Sequence, residues 1–387
     1  MKITLERYFY PVGQGLCCRE RFIFNDNIDP KTGKPKEFNL VYDCGSGIKY
    51  EPPQRAKDKI RQYFKGLTID ALILSHYHND HVNLVKTLKD VAEIKYLLIP
   101  DLSDKKTNNE TRAEYNFLLY IDKGVDTDLL FVSAKEKEKY YDIPVILLEP
   151  DKIVDLFSDQ TISRKLAVPR YLKACWHMIT YNYQLIVKNP KFIKAMTYAG
   201  LYDKLSDEEY VSHNVKEIGD ICKKIKNPNE QSTVLFSYPQ KRSGIICENH
   251  LVGENSSCLL PQNQQIILCN CCKNETKFCC NCYAGDSLIG CVYFGDYPLN
   301  AKERYERIRQ IYETSSEYTG TIQFPHHGST TGNNKNILEF DKKYVFSYGF
   351  GTKHPAKTSV EKVSDAGGCP IFVNDYSGYI QHILEEY

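Results

Sequence analysis

The chain carries almost no excess charge: 50 lysines and arginines face 49 aspartates and glutamates, for a formal net charge of +1. Capture of a polyanion by a global field is thereby excluded, although a local basic groove is not. No stretch reaches the roughly 20 apolar residues of a membrane-spanning helix. The opening Met1 to Tyr10 lacks the apolar core and small-residue cleavage site of a secretory signal. Internal repeats and low-complexity tracts are missing too. These absences predict a cytoplasmic protein with no membrane association. The 42% hydrophobic content over 387 residues suffices for one α/β domain, residues 1–387, enlarged by insertions.

What is present is concentrated at strand ends. Lys2 to Tyr10, Arg21 to Asn25 and Phe38 to Tyr42 read as strands, with Asp26 to Lys36 as a hairpin loop. Ala56 to Gly66 reads as a helix, as do His81 to Val91 and Thr111 to Asp122. Further strands are expected at Ile69 to Leu74, Tyr96 to Pro100 and Val145 to Leu148. This alternation favours a layered α/β architecture. From Asp151 to Lys226 the strand rhythm gives way to apolar residues at helical spacing, predicting a mainly helical insertion over 151–226. Strand character returns at Asn229 to Tyr238 and again at Gly290 to Phe294. Between them lies a cysteine-rich insertion, 239–287.

The densest chemistry is the run His76 Tyr77 His78 Asn79 Asp80 His81, directly behind an apolar strand. Three imidazoles and a carboxylate in six positions are a ligand set for Zn²⁺, Mn²⁺ or Fe²⁺. A lone HxH pair would read as a surface loop. The full HxHxDH at a strand end points to a two-metal hydrolytic site. Asp296 follows the strand Cys291 to Phe294 and a glycine that lets the chain turn, leaving a carboxylate with two oxygens at the tip. Phe324 Pro325 His326 His327 Gly328 Ser329 adds another metal-competent group, with His327 favoured as ligand and His326 left for a leaving group or substrate oxygen.

The HxHxDH run resembles the signature of the metallo-β-lactamase superfamily. The resemblance implies His76 and His78 on one metal, Asp80 and His81 on the other, and Asp296 as the bridge. The ordered series Val12 to Gly15, Asp43 Cys44 Gly45, Ser75 to His81, Asn229 to Ser232, Gly295 Asp296, His326 to Ser329, Ser347 to Gly349, His354 Pro355 and Asn374 to Gly378 is similar to the ComEC-type branch. That branch includes the nuclease-like domain of a DNA-uptake channel and related phosphodiesterases. It implies a four-layer αβ/βα sandwich with two divalent ions, Zn or Mn, at one edge of the two sheets.

Three departures from the pattern stand out. The Gly349 to His354 loop is short and places Lys353 where a glycine is expected. The connection ahead of Asn229 is replaced by the 151–226 insertion, so no third histidine for the first metal is visible, with His177 and His213 as candidates. Cys269 with Cys272 and Cys279 with Cys282 form two CxxC pairs, the spacing of a structural Cys₄ zinc site, and Cys247, His250 and Cys258 can contribute to a second.

The expected function is metal-dependent hydrolysis of a phosphodiester. Asp80 and Asp296 serve the metals, Asp43 orients a metal histidine, and His326 or His354 stabilises charge at the reacting phosphate. Lys353 and Ser329 are expected on the substrate. The substrate is a nucleic acid or, given the neutral charge, a small phosphodiester or nucleotide second messenger. A protein partner acting through the two insertions is the alternative.

Overall fold

The computed structural model, which describes residues 2–47, 51–101, 139–149, 151–182, 194, 197–200, 204, 232–241, 244–253, 288–300, 302–339, 341–349 and 351–386, builds its core from strands buried on both faces. The first half contains β1 (Lys2–Phe9), β2 (Cys17–Ile28), β3 (Pro35–Cys44), α1 (Gln54–Phe64), β4 (Thr68–Ile69), β5 (Ala71–Ile73), α2 (Asn79–Val82), α3 (Val85–Lys89), β6 (Glu93–Ile94), β7 (Leu97–Pro100), β8 (Lys139–Tyr140) and β9 (Ile143–Leu148). The second contains β10 (Ile153–Asp155), α4 (Gln160–Lys165), α5 (Arg170–Cys175), β11 (Trp176–Asn182), β12 (Thr233–Pro239), β13 (Gly244–Gly253), β14 (Gly290–Tyr293), α6 (Lys302–Ser316), β15 (Thr319–Gln323), β16 (Lys343–Ser347), α7 (Lys357–Asp365), β17 (Cys369–Val373) and β18 (Ser377–Glu386).

Two large sheets result, in the order β13-β18-β1-β2-β3-β5-β7-β9-β8 and β10-β11-β12-β14-β15-β16-β17. Their central strands read as continuous apolar runs because successive side chains enter different cores. Phe38, Leu40, Tyr42, Ala71, Ile73 and Leu98 from the first sheet meet Leu235, Cys291, Tyr293 and Val345 from the second in one core. The intervening residues Val41, Leu72, Leu97, Val234, Phe236, Val292, Tyr344 and Phe346 point outward under the helices. Ala56, Ile60 and Phe64 of α1 recur every four residues and pack there, and Tyr305, Ile308 and Tyr312 of α6, spaced three and four residues apart, do the same. The architecture is the four-layer αβ/βα sandwich.

The structure alters the expected elements where tertiary contacts outweigh local pattern. The helix expected over His81 to Val91 breaks into α2 and α3, because the Asn83 amide is held by Ser46, accepting from its N–H and donating to its carbonyl at 2.9 Å each. The segment expected as a mainly helical insertion is corrected over its described part. Residues 151–182 supply two strands and two short helices, and β11 pairs with β12 from Trp176 opposite Pro239 to Asn182 opposite Thr233. The reason is a period of two within WHMITYN: Trp176 and Met178 enter the inter-sheet core, Tyr181 the outer one. The remainder of that segment, including His213, lies outside the described residues apart from isolated positions.

The strands flanking the cysteine-rich insertion pair directly, Leu235 opposite Tyr293 and Ser237 opposite Cys291. Part of the insertion is itself a strand, since β13 lies at the edge of the first sheet against β18. Cys258, Cys269, Cys272, Cys279 and Cys282 lie outside the described residues.

One polar cluster crosses the inter-sheet core. Arg7, fully buried, donates to Glu20 at 2.7 Å, to the Ile289 carbonyl at 3.0 Å and to Gln381 at 2.9 Å. Ser237 and Tyr293 of the second sheet donate to the same Glu20 at 2.5 and 2.8 Å. Burial opposes the charge on Arg7, but Glu20 outweighs it and keeps the guanidinium protonated. Replacing one member strands the other charge, so Arg7→Met is expected to lower unfolding stability by about 3–5 kcal/mol, whereas Arg7→Met combined with Glu20→Leu recovers most of it. Denaturant titration followed by circular dichroism checks this, and equal losses in the single and double variants would contradict the account.

Candidate metal centre

The residues with metal chemistry all stand at the carboxyl ends of parallel strands. β3 is parallel to β5, and β14, β15 and β16 are mutually parallel neighbours. Asp43 closes β3, His76 to His81 follow β5, Asp296 follows β14, and His326 and His327 follow β15. Open α/β sheets gather their ligand sites at such ends, where the chain leaves the ladder and its groups are no longer committed to it.

Two features bring these loops close enough. Gly45 packs against the turn carrying Asp80 and His81, where an added Cβ would lie 2.4 Å from the His81 nitrogen. Asp43, His326 and His327 have positive φ of 56°, 49° and 52°, a left-handed conformation that costs roughly 1–3 kcal/mol each outside glycine. Surrounding structure holds this strain where the ligands need it.

Among the described residues the centre resolves into two groups, His76, His78 and Asp296, and Asp80, His81 and His327, each with donor atoms within 4.8 Å of one another. Asp296 links them. Its Oδ1 is 3.2 Å from His81 Nε2 and 3.7 Å from His327 Nε2, and its Oδ2 is 3.8 Å from His76 Nε2 and from His326 Nε2. His327 Nε2 is also 3.3 Å from Asp80 Oδ2.

A divalent cation fits this arrangement. His76 Nε2, His81 Nε2 and Asp296 Oδ1 are buried and have no hydrogen-bond partner, a costly state for polar atoms unless a cation meets them. Donors at 2.0–2.1 Å from a tetrahedral ion lie about 3.3–3.5 Å apart, close to the spacings around Asp296 Oδ1. The set is purely imidazole and carboxylate, as Zn²⁺ or Mn²⁺ accepts.

The ring nitrogens facing away from the centre are anchored. His81 Nδ1 meets Asp43 at 2.8 Å, His76 Nδ1 meets Ser75 Oγ at 2.9 Å and His327 Nδ1 donates to the Ser347 carbonyl at 2.8 Å. Asp43 also accepts from the Ser75 N–H and hydroxyl. These contacts select the tautomer that presents Nε2 inward. Ser75, Ser347, Thr331 and Ser232 have no assigned role in the sequence reading. Ser75 is adjacent to the motif, whereas the Ser347 contribution is a backbone atom that sequence does not reveal.

Charge is strongly redistributed. Burial opposes ionisation of His81, but Asp296, Asp43 and Asp80 raise its pKa well above the ordinary imidazole value. His327 is raised likewise by Asp296 and Asp80 against burial. Burial, with His81 and His78 nearby, drives His76 well below it. Asp296 is held well below the ordinary carboxylate range, the surrounding histidines outweighing burial.

Other expected residues occupy the rim. The His354 ring is 5.9 Å from His326 and 6.4 Å from His327, and burial first, then those two rings, push its pKa down to about 4. Lys353 beside it is exposed. Ser329 turns inward, its hydroxyl 2.5 Å from Thr331 Oγ1, which in turn lies 3.2 Å from His326 Nδ1. His177 pairs with Asp155 at 2.8 Å. It lies five residues along β11 from Asn182, roughly 16 Å from the end that adjoins the centre, and belongs to neither group. The place next to His76 is taken by Ser232, whose hydroxyl accepts from the Asp296 N–H at 3.2 Å and lies 3.4 Å from His76 Nδ1.

Residues 34–160 match the family model described as the Metallo-beta-lactamase superfamily. The match contains His76 to His81. No curated protein sequence matches. Similar solved structures include a long form RNase Z from yeast, at 12% identity and a TM-score of 0.31, with 97% of this chain and 41% of that chain covered. This chain therefore spans less than half the length of that relative.

Because the carboxylates raise the proton affinity of His81 and His327 in the metal-free centre, cation binding competes with protons there, and affinity is expected to rise with pH. Asp43→Asn removes one source of the raised His81 pKa and loosens its ring. It is expected to weaken divalent-ion binding about 10–100-fold and to release fewer protons. Calorimetric titration in buffers of different ionisation enthalpy measures both, and unchanged affinity together with unchanged proton release would refute the role given to Asp43.

Proposed function

We propose that this protein is a metal-dependent phosphodiesterase of nuclease type, in the ComEC-like branch of its superfamily. The observation that carries the reading is Asp296 between two ligand groups, with buried, unpartnered nitrogens aimed at it. His76, His78 and Asp296 would hold one ion, Asp80, His81 and His327 the other. Two such ions, when bound, supply the Lewis acidity and the lowered water pKa that hydrolysis of an unactivated ester requires.

The chain's own residues then orient and discharge the substrate. Asp43, Ser75 and the Ser347 carbonyl keep the ligand rings fixed, so no reorganisation is needed as charge develops. His354 is neutral at pH 7 and its buried Nδ1 has no partner. An imidazole in that state can donate to a phosphoryl or leaving oxygen. Lys353 beside it offers a cation to the phosphate, while Ser329 supports His326 through Thr331. Phosphodiester chemistry is favoured over thioester or lactam hydrolysis because this rim combines imidazoles with an exposed lysine.

The net charge of +1 favours local over field-driven binding, so a single strand or short nucleotide is the preferred substrate class. No helix among the described residues is long and apolar enough to cross a membrane. We place the chain in the cytoplasm, where reduced Cys269, Cys272, Cys279 and Cys282 are available for structural zinc.

The test is turnover of bis(p-nitrophenyl) phosphate, single-stranded DNA, RNA and cyclic nucleotides by Mn²⁺- or Zn²⁺-loaded protein. His78→Ala and Asp80→Ala are expected to reduce kcat at least 1,000-fold, beyond the roughly 100–1,000-fold that loss of one electrostatic contact costs. His354→Gln is expected to reduce kcat about 10–100-fold with metal content unchanged. Full activity in the His78→Ala/Asp80→Ala double variant would overturn the proposal.

A further inference from the structure

Among the described residues the first ligand group is one donor short: Asp80, His81 and His327 share Asp296 Oδ1 as a fourth donor, whereas His76 and His78 have Asp296 Oδ2 alone, and Ser232, just ahead of β12, lies behind His76 at its Nδ1. His326 lies 3.8 Å from that same Oδ2 through Nε2. We propose that His326 is a ligand of the first metal, so that the His326–His327 pair is divided between the two ions. This rests on reading the centre as a two-metal site.

Three observations support the division. The two rings diverge, with planes 84° apart and centroids separated by 6.4 Å. Adjacent side chains reach two neighbouring ions only if the backbone splays them, and both residues adopt the left-handed conformation, φ 49° and 52°. Finally, the outer nitrogen of His326 is braced as those of His76, His81 and His327 are: Thr331 Oγ1 lies 3.2 Å from its Nδ1 and is itself 2.5 Å from Ser329 Oγ. With Thr331 accepting from Nδ1–H, that contact leaves Nε2 as the ligating atom. A residue that only touched the leaving group would need neither the strained backbone nor the anchored outer nitrogen.

Mn²⁺ separates the centre from any thiolate site, because it prefers oxygen and imidazole donors. Titration of the full-length apo-protein with Mn²⁺ is expected to give two ions per chain and the exchange-coupled electron-spin signal of neighbouring ions. His326→Gly keeps the backbone conformation accessible and is expected to leave one ion, with the six-line signal of isolated Mn²⁺. Thr331→Val retains the ligand but loosens it, and is expected to weaken only the second binding event, about 10–100-fold. Two coupled ions at wild-type affinity in His326→Gly would overturn the proposal and return His326 to the substrate. Failure of the wild-type chain to bind two Mn²⁺ ions would instead remove the two-metal reading on which it depends.

Discussion

Three carboxylates, Asp43, Asp80 and Asp296, are buried together in this protein, at 0%, 7% and 3% exposure, and so much negative charge out of water requires positive charge among it. Desolvating a single ion costs several kcal/mol even after relaxation. In the metal-free state the need falls on His81 and His327, whose proton affinity these carboxylates raise. Divalent cations would meet it more fully and would also engage the inward nitrogens of His76 and His81, which have no hydrogen-bond partner. The centre is therefore organised by charge balance first, and the strained loops and close backbone contacts follow from it.

The scaffold serves this balance by delivering groups from both sheets to one edge. Gly45 lets the β3 loop lie on the backbone of Asp80 and His81, and Tyr42, one residue before Asp43, donates to the Thr233 carbonyl of the second sheet at 2.5 Å. The ligands thus sit on short turns whose starting points are strands packed on both faces. Rotational freedom is removed by the outer contacts: a carboxylate behind His81, a hydroxyl beside His76, a carbonyl behind His327. Different chemistry in each case achieves the same end, an imidazole that presents Nε2 inward.

Much of this was legible because ligand chemistry leaves a dense local trace. HxHxDH, Gly295 Asp296 and His326 His327 each follow an apolar strand, and the two-sheet α/β arrangement is written in the alternating apolar runs of β3, β5, β12 and β14. The roles of Ser75, Ser232 and Thr331 were not legible, since serine and threonine are common and their use here depends on which loops meet. The Ser347 carbonyl depends on how β16 lies beside β15, a register that has no local signature. The stretch WHMITYN was misread because it follows segments of helical spacing, yet its two-residue period is decided by a place between β10 and β12 that only tertiary structure provides. The backbone strain at Asp43, His326 and His327 is equally invisible in sequence, because none of the three is glycine.

The family match ends at residue 160, and the geometry explains why the other half is still indispensable. Asp296 and His327 come from the second sheet, so neither ligand group is complete without residues beyond the match. The relative placement of the sheets must be held closely, and apolar packing alone permits sliding. The Arg7–Glu20 cluster supplies direction: Tyr293, the last residue of β14, donates to Glu20, and Asp296 follows three residues on, past the turn at Gly295. A polar contact with defined donors and acceptors aligns β1 and β2 with β14 in a way that an apolar substitute of equal volume cannot. The strand that Glu20 contacts through Tyr293 is the one that runs into Asp296.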